Sequence, residues 1–121
     1  AARRMVPRGH GSILLTEATA SLRGGNGFAA FAAGKFGLRA LAQSMARELM
    51  PKGIHVAHVP IDAAIGWTQA DGTRSHRRAG ANVEDNQADP DAIAKTYLQL
   101  HQQPRSTWTF EVVLRPWLET W

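Results

Sequence analysis

The chain has 121 residues, 44% hydrophobic and 20% charged, which suits one domain with a single core and excludes wholesale disorder. It has no cysteine, so disulfides, thiolate metal sites and cysteine nucleophiles are excluded. Fourteen Lys and Arg against ten Asp and Glu leave a net charge of +4, spread too thinly to form a nucleic-acid surface with interleaved aromatics.

The excess charge lies partly in Arg3, Arg4 and Arg8 and partly in Arg74, Arg77 and Arg78. The opening Ala1-Ala2-Arg3-Arg4-Met5 reads as the last turns of a helix and predicts a cut or processed beginning. No signal peptide is recognised, and the apolar-leaning run Gly24 to Gly34 is too short for a bilayer span. No membrane partner is expected, and the cytoplasm is the expected location.

Pro7-Arg8-Gly9-His10-Gly11 is a turn. Ser12 to Thr16 (SILLT) is short and continuously apolar, as in a strand buried on both faces. A glycine-rich loop, Leu22 to Gly27, leads to a predicted helix over Phe28–Leu49, stopped by Met50-Pro51-Lys52-Gly53. Ile54 to Val59 (IHVAHV) is strand-like. Pro60 to Gln87 is long and polar, the kind of loop that carries function in a compact domain. Asp89 suits a helix N-cap and Pro90 the first helical position, predicting a helix to about Gln103. Thr109 to Leu114 (TFEVVL) is a third predicted strand, followed by an aromatic tail.

Alternating strands and helices predict right-handed crossovers and a parallel sheet of three strands. Such a sheet needs cover on both faces, and two helices leave at least one edge open. The chain therefore reads as part of a larger unit, completed by an N-terminal half or by another copy.

On the long helix, Phe31, Leu38, Ala42, Met45 and Leu49 form an apolar face, and Lys35, Arg39, Gln43 and Arg47 a polar stripe. Ala29, Ala30, Ala32, Ala33, Gly34, Gly37 and Ala40 form a small-residue surface. It lets a partner helix approach closely, or buries the helix within one subunit. A homo-oligomer through helix 28–49 or through the open sheet edge is expected.

The run Gly11-Ser-Ile-Leu-Leu-Thr-Glu-Ala-Thr-Ala-Ser, the run Gly-Gly-Asn-Gly-Phe-Ala-Ala-Phe-Ala-Ala-Gly-Lys35 and Gly53-Ile-His-Val together resemble the short-chain dehydrogenase/reductase family. The resemblance implies an α/β fold, a three-layer Rossmann-like parallel sheet, of which residues 1–121 are the C-terminal half: about three strands with flanking helices, and a substrate-type loop over 62–88. It implies NAD or NADP as cofactor and oxidoreduction of alcohols and carbonyls. The family's glycine-rich nucleotide turn belongs to the other half. Its Tyr-x-x-x-Lys falls on Phe31-Ala32-Ala33-Gly34-Lys35, and its serine, thirteen residues earlier, on Ala18. The hydroxyls that donate the proton and hold the substrate oxygen are thus replaced by a phenyl ring and a methyl group.

Lys35 is either a ribose contact or a member of the solvated stripe. Phe31 is either the relic of the tyrosine position or an ordinary packed aromatic. Glu17 is either a carboxylate beside Lys35, paired or basic, or an exposed loop residue. The cofactor-amide contact falls on Ile61, where Ile61-Asp62 departs from the family's Pro-Gly. Gly25-Asn26-Gly27-Phe28-Ala29-Ala30 fits G-x-G-x-x-A but stands too far from its strand for a dinucleotide turn. His55 and His58 point to opposite faces of one strand and cannot share a metal, and no metal site is expected. Tyr97 is expected to pack. Trp67 is a substrate contact or a cover for the core, and Trp108, Trp117 and Trp121 are core or interface residues.

Overall fold

The computed structural model describes residues 1–76 and 85–120. A short helix α1 (Ala2–Met5) is followed by β1 (Gly11–Ala18), the long helix α2 (Ala29–Leu49), β2 (Ile54–Ile61) and α3 (Pro90–Gln102). Arg77, Arg78, Trp121 and part of the 62–88 loop lie outside the described residues.

β1 and β2 are parallel, joined by α2 as the crossover, with Gly11 opposite Ile54 and Ala18 opposite Ile61. Both strands run past their apolar centres, because pairing carries on through Glu17↔Pro60 and Ala18↔Ile61. The turn into β2 depends on Gly53, whose φ is +83°. A Cβ there would collide with the carbonyl oxygen of Gly9, which also accepts from Arg105 Nη2 at 2.5 Å. Only glycine fits so close an approach.

The third predicted strand is the main departure. Residues 109–114 run parallel along the other side of β2 in one constant register, but only as two isolated bridges, His58↔Glu111 and Ile61↔Leu114. The cause is Pro60. The amide of His58 donates to Phe110 O, and Val112 and Leu114 donate to the carbonyls of His58 and Pro60. The next ladder bond would come from the nitrogen of residue 60, and proline has no N–H. The regular sheet therefore has two strands, with a third segment pinned on either side of a gap.

Alternation along the strands sets up three layers. On one face Ile13, Leu15, Ile54 and Val56 meet Met45, Ala46 and Leu49 of α2. On the other, Leu14, Val59 and Ile61 meet Ile93, Tyr97 and Leu100 of α3, with Val112 and Leu114 beside them. Hence β2 is buried along its whole length. Tyr97 packs as expected, and its hydroxyl lies 2.7 Å from Thr16 Oγ1.

Other surfaces stay uncovered. Among the described residues β1 pairs only with β2. Along α2, Ala33, Gly34, Gly37 and Ala40 are exposed with Phe36 and Leu41, while Ala32 is buried. The chain exposes 7698 Å², against roughly 6,400 Å² expected for a monomer of its mass. No helix among the described residues is long and apolar enough to cross a membrane.

α3 begins as its sequence predicts: the Asp89 carboxylate accepts from the Asp91 amide at 3.0 Å, with Pro90 in the first turn. That backbone hydrogen bond holds the Asp89 carboxyl below its ordinary value of 3.8, with Arg74 assisting. A depressed carboxyl stabilises the fold above its unfolded value and loses that contribution as pH falls through the folded value. Thermal melts should show Asp89→Asn, which keeps the cap without the charge, losing less stability than the parent between pH 6 and pH 3. Equal losses would contradict the cap's role.

Candidate active-site cleft

An open cleft of about 590 Å³ lies at the C-terminal ends of the strands, lined by Ala18, Thr19, Phe28, Phe31 and Ile61 among others. Reacting groups of α/β folds gather at this end of the sheet. Ala18 is the last residue of β1 and Ile61 the last of β2, and they are register partners. Phe31 projects from the first turn of α2, and Gly24 and Gly25 of the glycine-rich loop complete the rim. Three of the residues singled out in the sequence thus share one cavity. Phe31 is 50% exposed, so it is not a packed core aromatic.

Lys35 lies one turn beyond Phe31. Its Nζ is 3.3 Å from the Thr16 carbonyl oxygen and 5.9 Å from the centre of the Phe31 ring, within cation–π range. It therefore reaches back to the end of β1. The stripe itself dips toward the sheet: Arg39 reaches Ser21 O at 3.3 Å and Glu111 at 2.7 Å.

Glu17 is neither exposed nor beside Lys35. It is 3% exposed, on the face of β1 that also carries Leu15, and its carboxylate lies 3.5 Å from His58 Nδ1. His58 is fully buried, with Nε2 2.7 Å from Glu111. Neither approach is aligned as a hydrogen bond, and both Glu17 oxygens lack such a partner. Glu17, His58, Glu111 and Arg39 therefore form a chain of facing charged groups between sheet and α2 when the imidazole is protonated. His55 faces the opposite way, stacked on Trp108 at 4.8 Å with its Nε2 2.8 Å from Thr109 O. Among the described residues no His, Asp or Glu cluster is arranged to hold a metal ion.

Asp62 is the residue whose importance the sequence hid. It is buried, it accepts from Thr19 Oγ1 at 2.5 Å, and its other oxygen lies 3.5 Å from Arg115 Nη2. The signal was present in the register: with Ala18 opposite Ile61, the next residues of each strand, Thr19 and Asp62, come side by side. Trp67 is 62% exposed and does not cover the core, and Trp117 is exposed with its Nε1 3.2 Å from Asp85.

A family model for the short chain dehydrogenases matches residues 1–81, and the chain belongs to that family. A crystal structure of a short-chain dehydrogenase from Rhodopseudomonas palustris is 52% identical, with a TM-score of 0.72 over 96% of this chain and 43% of that one. A metagenomic short-chain oxidoreductase crystallised with NADP is 26% identical, with a TM-score of 0.70 over 98% and 43%. An acetoin dehydrogenase from Salmonella typhimurium, 20% identical, shares the fold, with a TM-score of 0.74 over 96% and 47%. The chain spans less than half the length of each of these three proteins. No curated protein sequence matches it significantly.

For a nicotinamide dinucleotide, the residues fit one end only. The family resemblance puts the ribose contact on Lys35 and the amide contact on Ile61, and the two lie near the ends of β1 and β2. No glycine turn directly follows a strand among the described residues: β1 runs into a 3-10 turn, Thr19–Ser21, ahead of Gly24 and Gly25. Among the described residues nothing is built to grip a pyrophosphate in the manner of a dinucleotide fold.

Burying Glu17 beside His58 makes each dependent on the other. His58→Leu keeps the volume but strands the carboxylate, and it should cost about 3 kcal/mol or more in denaturant unfolding. Glu17→Leu combined with His58→Leu should cost less than that single change. A double variant weaker than His58→Leu would refute the coupling.

Proposed function

We propose that this chain is the substrate-side half of a nicotinamide-dependent alcohol/carbonyl oxidoreductase and does not transfer hydride by itself. The observation that supports the reading is a cleft holding both Ala18 and Phe31, the residues on which the family resemblance puts its two hydroxyls, with Lys35 one helical turn beyond Phe31. The cofactor, when bound, supplies the hydride. The parts left to this chain are to hold the ribose through Lys35, to shape the substrate pocket with Phe28, Phe31 and Ile61, and to exclude water. Phe31 has no ionisable proton to give to a carbonyl oxygen, and Ala18 cannot hold that oxygen. Fluorescence titration should show no micromolar binding of NADH or NADPH, and Phe31→Tyr with Ala18→Ser should give no reductase turnover. Measurable turnover in that double variant would overturn the reading.

A second reading, a non-catalytic assembly module, is favoured by the exposed face of α2 and the open edge of β1. A second copy covering either would bury part of the excess surface. Light scattering should find a stable oligomer at low micromolar concentration, and a persistent monomer would refute self-assembly.

A further inference from the structure

The cleft has one hydroxyl. Of its lining side chains only Thr19 and Arg23 are polar; Arg23 is exposed, where any ligand bond competes with water, while Thr19 is half-buried. The direction of the Thr19 hydroxyl is fixed by its neighbour. Asp62 is buried, and one of its oxygens faces Arg115 at 3.5 Å. The other receives the Thr19 proton at 2.5 Å. An ionised carboxylate only accepts, so Thr19 must donate to it. What the hydroxyl has left to offer a ligand is its lone pairs. Turning the proton to a ligand instead would leave a buried carboxylate oxygen without its donor, which is costly.

We propose that Thr19, oriented by Asp62, is the polar anchor of this cleft and accepts a hydrogen bond from a ligand hydroxyl, so that the cleft takes a secondary alcohol with an apolar substituent in preference to the matching ketone. The apolar substituent lies against Phe28, Phe31 and Ile61. A ketone oxygen meets an acceptor with no proton to offer. An alcohol of the same shape supplies the missing proton itself. The inference rests on the reading of this cavity as the substrate end of the fold, but not on nucleotide binding or turnover.

The test uses 4-phenyl-2-butanol and 4-phenyl-2-butanone, titrated without nucleotide into the isotope-labelled 121-residue chain and followed by amide chemical shifts. One neutral hydrogen bond corresponds to roughly a three- to tenfold tighter dissociation constant for the alcohol. Thr19→Val should erase that preference while both probes still bind, and Thr19→Ser should keep it. The proposal is overturned by equal affinities, by a preference for the ketone, by no shift with either probe at millimolar concentration, or by a preference that survives in Thr19→Val. If Thr19→Val does not fold, the parent chain and Thr19→Ser decide between these outcomes. An alcohol preference in a chain that also binds NADPH tightly or turns over would leave Thr19 in place and remove only the inactive-half reading.

Discussion

Every residue of β2 is buried, and the rest of the chain is arranged around keeping it so. β1 covers one edge, residues 109–114 the other, α2 one face and α3 the opposite face. Polar groups on a strand in that position are cut off from water and depend on the side chains facing them. His55 stacks on Trp108 and bonds to Thr109 O, while His58 faces Glu17 and Glu111 without an aligned hydrogen bond to either. The same burial fixes where the strand ends, and so sets Ile61 in the wall of the cleft with Asp62 buried beside it. The geometry of the site is a by-product of the packing of one strand.

The elements of the fold were largely legible. Continuous apolar runs marked β1 and β2, and Asp89-Pro90 marked the start of α3, because these signals are local. What escaped was whatever depended on pairing across the sheet. Glu17 sits after an apolar run and reads as loop; only the pairing of its strand with β2 turns it inward toward His58. TFEVVL has good strand composition, and nothing within it reveals that its partner lacks an N–H at Pro60. Arg39 looked like one cation in a solvated stripe, although it joins α2 to Glu111 across the layers.

The site was legible in a different sense. The positions of Ala18, Phe31 and Lys35 were read by resemblance, and the cleft brings Ala18 and Phe31 together with Ile61. Thr19 and Asp62 had no motif to announce them. They meet because they follow a register pair, and a short hydroxyl beside a buried carboxylate is the outcome. The family resemblance puts its two hydroxyls on Ala18 and Phe31, which carry none, while the Thr19 hydroxyl, outside that pattern, is held by Asp62.

Pro60 also has a mechanical consequence. Residues 109–114 are fastened by bonds clustered around His58 and Ile61 rather than by an unbroken ladder. A strip attached at two points can come away at one of them while the other holds. Loosening the first fastening carries off Phe110 and Glu111, uncovering the imidazole of His58 and releasing Arg39 from its carboxylate. The wall of the cleft at Ile61, anchored through the second, would be the last part to let go.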